Sequence, residues 1–209
     1  MRISQTVLAG VVAATTLTAA VAGCGSKTSA PSRSGSATSA TSAPSSSAAP
    51  SASSAPAQPN DYTGLLIQAA DIKAPEAFTG TPPVNNPNGQ PGVATTFSTS
   101  DSNHVIHDTI QVLADPAAAT AALNAAKTGQ GNIIKQPQTE PAKDIGTDGT
   151  LVSGNSPDGN KGITVLLFTE GRALVTLQFD GPPGMLPPPD FLTDVGQKQD
   201  AAVKKGLGG

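Results

Sequence analysis

The chain is short of the residues that most often carry chemistry. It has one cysteine, no tryptophan, two histidines and six aromatic residues in 209. After Pro59 there is no cysteine, so that region holds neither a disulfide nor a thiolate metal site. Arg172 is the only arginine there, and all 15 acidic residues lie there against nine of the twelve basic ones, a formal charge of −6. An acidic, arginine-poor domain does not neutralise phosphates, which argues against nucleic acid as a partner. No Gly-rich phosphate loop or dinucleotide fingerprint is present, and no cofactor is implied. With so few aromatics, the core must be built from Val, Leu, Ile and Ala.

What is present falls into three parts. Residues 1–23 have a basic start at Arg2, then an uncharged run of Val, Leu, Ala, Gly and Thr from Val7 to Val21. That run is too short and too weakly apolar to span a bilayer, which takes about 20 strongly apolar residues. It has the form of a signal peptide. Val21, Ala22 and Gly23 then precede Cys24, the lone cysteine. This ending resembles a bacterial lipobox. The resemblance implies cleavage after Gly23, acylation of Cys24 and attachment to the extracytoplasmic face of the cell membrane. Acyl chains contribute about 0.8 kcal/mol per buried CH2, and more than one chain gives lasting attachment.

Residues 24–59 are the lipidated cysteine and a stretch of Ser, Ala, Pro, Thr and Gly whose only charges are Lys27 and Arg33. Such a composition cannot offset the entropy of ordering and reads as a disordered tether. It would hold the C-terminal domain about 30 Å from the membrane on average. Its Ser/Thr/Pro content also suits O-glycosylation. Residues 60–209 make that domain, one of ordinary size.

Within that domain, Asp61–Ala70 spaces Leu65, Leu66, Ala69 and Ala70 as a short helix, capped by Asn60 or Asp61. Residues 79–92, rich in Pro and Asn, form an irregular loop. Val93–Ser98 and His104–Leu113 are strands joined by a turn at Ser100–Asn103. The second strand has Ile106, Asp108, Ile110 and Val112 on one face and His107, Thr109 and Gln111 on the other. Asp115 and Pro116 open an alanine-rich helix anchored by Leu123 and stopped at Gly129. Ile133-Ile134 is a short edge strand limited by Pro137 and Pro141. A turn at Asp148-Gly149 precedes a strand at Leu151-Val152.

Gly162–Thr169 is apolar on both faces, as in a central strand. It turns at Glu170-Gly171 into Arg172–Asp180, with Ala173, Val175, Leu177 and Phe179 inward and Leu174 outward. Asp190 caps a last helix with an apolar stripe from Phe191 to Val203, and the chain frays from Gly206. Hairpin turns rather than crossovers imply α+β: an antiparallel, meander-like sheet with helices on one face.

Candidate chemistry is sparse. His104, His107 and Asp108 suggest a metal site, but strand positions three apart point to opposite faces, and no further ligands occur at a usable spacing. Gly154–Gly159 looks like a nucleophile elbow around Ser156, yet lacks the Gly-x-Ser-x-Gly spacing and lies between strands. Asp144 and Asp148 read as turn residues. Asp108 stands among Ile106, Ile110 and Val112, where a carboxylate must be paired, hydrogen-bonded or protonated.

The lipobox and the Ser/Ala/Pro tether resemble the secreted lipoproteins of mycobacteria and related actinobacteria. Ile110–Leu113, the alanine-rich helix, Asp144–Gly146 and Leu166–Arg172 are similar to a group of small sensor-like or ligand-binding lipoprotein domains. That resemblance brings no catalytic residues. The expected function is a non-enzymatic binding or interaction module of the cell envelope, partnered with the membrane through its anchor and with an envelope protein or a lipid. The alternative is a carrier of a lipid or other apolar ligand between sheet and helices. A hydrolase is the third, weakest reading.

Overall fold

A computed structural model describes residues 61–208. The lipobox, Cys24 and the tether lie outside the described residues. The elements are β1 (Thr79–Gly80), β2 (Val84–Asn85), β3 (Gly92–Ser98), β4 (Val105–Val112), α1 (Pro116–Gly129), β5 (Lys135–Pro141), β6 (Thr147–Asn155), β7 (Gly162–Glu170), β8 (Ala173–Gly181) and α2 (Pro189–Gly206). All eight strands pair antiparallel in one sheet, ordered β1-β3-β4-β8-β7-β6-β5 with β2 also on β3. The expected α+β sheet with helices packed on it is therefore observed.

The sheet has two covered faces. Leu166 and Phe168 of β7, with Val175, Leu177 and Phe179 of β8, pack under Leu192, Val195 and Val203 of α2. Ile163, Val165 and Leu167 point the other way, with Leu174, and pack under Leu123 of α1. The helices thus divide between the faces, where the sequence put both on one, and Leu174, expected outward, is 6% exposed beneath α1. This also explains why β7 is apolar throughout. Its neighbours are strands on both edges and a helix on both faces. The β7–β8 turn is Gly171-Arg172, and Gly171 takes φ +54°, the left-handed conformation that two-residue hairpin turns use.

Several boundaries differ from expectation for local reasons. Residues 61–70 form two 3-10 turns, Thr63–Leu65 and Ala69–Asp71, not an α-helix. Leu65, Leu66 and Ile67 are all buried, and three consecutive residues cannot share one helical face. The extended backbone between the turns is held by Gln199 of α2, whose Oε1 accepts from Ile67 N (3.1 Å) and whose Nε2 donates to Leu65 O (2.6 Å). Asp61 does act at the segment's start, accepting from Thr63 N at 2.9 Å. The loop over 79–92 contributes the two short strands that pair with β3.

Asp115 caps α1, accepting from Ala118 N at 2.8 Å. Helix α1 ends at Gly129 as expected, but without a left-handed cap. The φ of Gly129 is −72°, and the chain continues into a 3-10 turn, Gln130–Asn132. The edge strand is β5 rather than Ile133-Ile134. It includes both prolines, which an edge tolerates because one side needs no donors. Asp148-Gly149 is a bulge inside β6, where the register shifts between Thr147 and Thr150. Asp190 does not cap α2: the helix begins at Pro189, one residue before it, with no side-chain cap, and it ends at Gly206, where the expected fraying begins.

Candidate functional site

The first strand residue of β4 lies beside the last inward residues of β8: Val105 faces Asp180, and Ile106 faces Phe179. At this end of the sheet the core surface is open. Ile106 and Phe179, both buried, continue into a groove of about 470 Å³. Phe191, in the first turn of α2, meets Phe179 edge-on at 6.0 Å and stacks on Phe78 at 6.5 Å and 22°. Three of the chain's five phenylalanines thus meet at the groove.

Two segments without regular structure frame it. Residues 182–188 are tied down on one side. Pro182 O accepts from Gly162 N and Met185 N, and Gly184 N donates to Asn155 Oδ1. A side chain at Gly162 would collide with the Met185 carbonyl, so glycine permits this close approach. Met185 (58%) and Leu186 (51%) remain exposed, two of the four large apolar residues that are so among those described. On the other side, residues 73–78 make no backbone hydrogen bond among the described residues; Ile72 N to Ala69 O is the last before them.

The polar groups at the groove divide into committed and free. Asp180 is committed: Oδ2 accepts from Lys161 Nζ (2.9 Å) and Oδ1 from Gln178 Nε2 (2.7 Å). Thr99 Oγ1 donates to Asp101 Oδ1 at 2.7 Å. The side chains of Lys73, Glu76 and His104 make no hydrogen bond or ion pair among the described residues.

The residues singled out from sequence are not brought together. His104 lines the groove, whereas His107 lies on the opposite face of β4, 3.9 Å from Asp180 and 3.3 Å from Thr96 Oγ1. Among the described residues there is no group of three or more His, Cys, Asp and Glu able to hold a metal. Ser156 Oγ donates to Asp158 and accepts from Lys161 N, so it closes the β6–β7 turn. The hydroxyl lowers the Asp158 carboxyl from its ordinary pKa, helped by Asn160 N–H. Asp144 and Asp148 take left-handed φ, 60° and 55°, as turn and bulge residues.

Asp108 is the exception to ordinary chemistry. It is 0% exposed between Ile106 and Ile110, opposite Thr95 and Leu177, and among the described residues neither carboxyl oxygen has a hydrogen-bond partner. Burial alone pushes its pKa up to about 8, so at neutral pH it is mostly a neutral acid. It sits two residues beyond Ile106 on the same face of β4, inside the core and not in the groove. The Tyr62 hydroxyl is likewise buried without a partner.

Sequence reasoning missed the groove. Its one signal was Met185-Leu186, apolar residues set among prolines where a loop is normally polar. No family model matches the chain, and no curated protein is similar to it in sequence. Among solved structures it is similar to the crystal structure of the extracellular domain of PknH from Mycobacterium tuberculosis. The identity is 9%, the match covers 71% of this chain and 95% of that one, and the TM-score is 0.48. Among the described residues no helix is long and apolar enough to cross a membrane.

Proposed function

We propose that this chain is a cell-envelope lipoprotein that is processed after Gly23, acylated on Cys24 and tethered by residues 24–59. Its folded domain acts as a non-enzymatic binding module. The observation that supports the binding reading is the groove, with Ile106, Phe179 and Phe191 as apolar walls and Met185-Leu186 exposed beside it. Its volume of about 470 Å³ lies in the range of roughly 300–1,000 Å³ that binding pockets occupy. This favours an apolar ligand or an apolar group of an envelope partner. We therefore put the binding site at the open end of the sheet; deeper between sheet and helices, Phe168, Leu166 and Val195 are fully buried.

The chain has no tryptophan, so an added fluorophore reports binding cleanly. The full chain should bind 1-N-phenylnaphthylamine saturably at one site, and Leu186→Asp should weaken it at least tenfold. Unchanged binding in that variant would rule out the groove as the site. For the anchor, the N-terminal peptide from the native host should carry acyl mass on Cys24, and Cys24→Ala should release the chain from membranes. Membrane retention of that variant would contradict the lipobox reading.

A further inference from the structure

Resting on the groove as the binding site, we infer that its ligand is the hydrocarbon chain of a single-chain amphiphile, which enters past residues 73–78. Three observations select this class. The first is the apolar character of the walls, where Ile106, Phe179, Phe191, Met185 and Leu186 offer contact area and no directional partner. Pro75, Pro187 and Pro188 line the groove and have no N–H. A hydrocarbon chain has no N–H or C=O group to satisfy when it is desolvated against such walls.

The second is where the free polar groups stand. Asp180 and Thr99 spend their side-chain oxygens on the protein's own loops. Lys73, Glu76 and His104 have no such partner among the described residues, and all three belong to segments outside the regular strands and helices. An apolar interior with uncommitted charges of both signs at its margin suits a ligand with a long apolar body and a polar head that stays wet. Because those charges oppose one another, the chain and not the head carries the affinity.

The third is mechanical. One frame of the groove is fixed by hydrogen bonds from Gly162, Met185 and Gly184. The other, residues 73–78, is held by Ile72 at one end and by the Phe78–Phe191 stack at the other, with no backbone hydrogen bond between them among the described residues. Segments held by few bonds open at low cost. Displacing this one admits a chain without disturbing the sheet.

The test uses the full chain and saturated fatty acids from ten to sixteen carbons, below their critical micelle concentrations, with monohexadecanoylglycerol as the uncharged comparison. Calorimetry should give one site. Affinity should rise about fourfold per added methylene, the increment of burying a CH2, with the glyceride within tenfold of hexadecanoate. Leu186→Asp, at an exposed position, and Ala74→Asp, at a half-buried one in the loop, should each weaken hexadecanoate at least tenfold. Two results would overturn the inference and leave the groove intact: phenylnaphthylamine binding sensitive to Leu186→Asp with no fatty-acid binding, or affinity that follows the head and ignores chain length. Loss of phenylnaphthylamine binding from the wild-type groove would overturn both readings.

Discussion

Replacing Asp108 by Asn tests the core electrostatics directly. In the unfolded chain this carboxyl ionises at about 3.9. In the folded chain it is fully buried, without a partner among the described residues, and ionises at about 8. A pKa raised on folding contributes stability that is complete below the unfolded value and is lost as pH climbs towards the folded one. Between pH 4 and pH 8 each decade therefore costs the native state about 1.4 kcal/mol, and the loss by pH 7 is about 4 kcal/mol. Above pH 8 both states are ionised and the penalty is constant. Asn keeps the shape, stays uncharged and has no such dependence. Urea unfolding followed by far-ultraviolet circular dichroism, from pH 4 to pH 9, gives the difference between the two proteins. Contributions from Asp61, Asp101 and Asp158, whose pKa values local hydrogen bonds lower, cancel in that difference. The variant should match wild type near pH 4 and exceed it by about 4 kcal/mol at pH 7. A difference constant with pH to within about 0.5 kcal/mol would mean the carboxyl ionises normally in the fold, and the burial argument would be wrong.

Gln199→Ala strips Ile67 N and Leu65 O of their partners, each worth about 1–3 kcal/mol when left buried; thermal unfolding should fall by roughly 10 °C. Gly196→Ala puts a methyl 2.7 Å from Leu166 Cδ2 and 2.8 Å from Ile145 Cδ1, where α2 lies against the core. Overpacking of about 1–3 kcal/mol outweighs the ~1 kcal/mol gain in helix propensity, so calorimetry should show net loss. Gly129→Ala, at the end of α1 with φ −72° and open space around it, should instead stabilise by roughly 0.5–1 kcal/mol. Leu186→Asp should leave the unfolding midpoint unchanged, because Leu186 is half-exposed outside the core.

The fold was legible where one residue's environment was set by its neighbours in sequence. The period-2 alternation of β4 and the Asp115-Pro116 start of α1 are of this kind, and they appear as expected. What escaped was set across long separations. Gln199 holds Leu65 and Ile67 from more than 130 positions away, and so decides that residues 61–70 are not a helix. Leu174 is buried because α1 crosses the outer face of the β7–β8 hairpin, which alternation within β8 does not reveal. Asp108 was legible as an anomaly, since a carboxyl among Ile106, Ile110 and Val112 has to be explained by any fold. The groove was not, because Phe78, Phe179 and Phe191 converge from a loop, a strand and a helix.

Binding in the groove is the central claim, and photolabelling locates the site even while the native ligand is unidentified. The full chain would be irradiated with a long-chain diazirine fatty acid and the labelled peptides mapped by mass spectrometry. Label concentrated in residues 73–78 and 181–191, and displaced by excess hexadecanoate, is the predicted result. Label spread over the surface, or gathered on the covered faces of β7 and undisturbed by competitor, would contradict it.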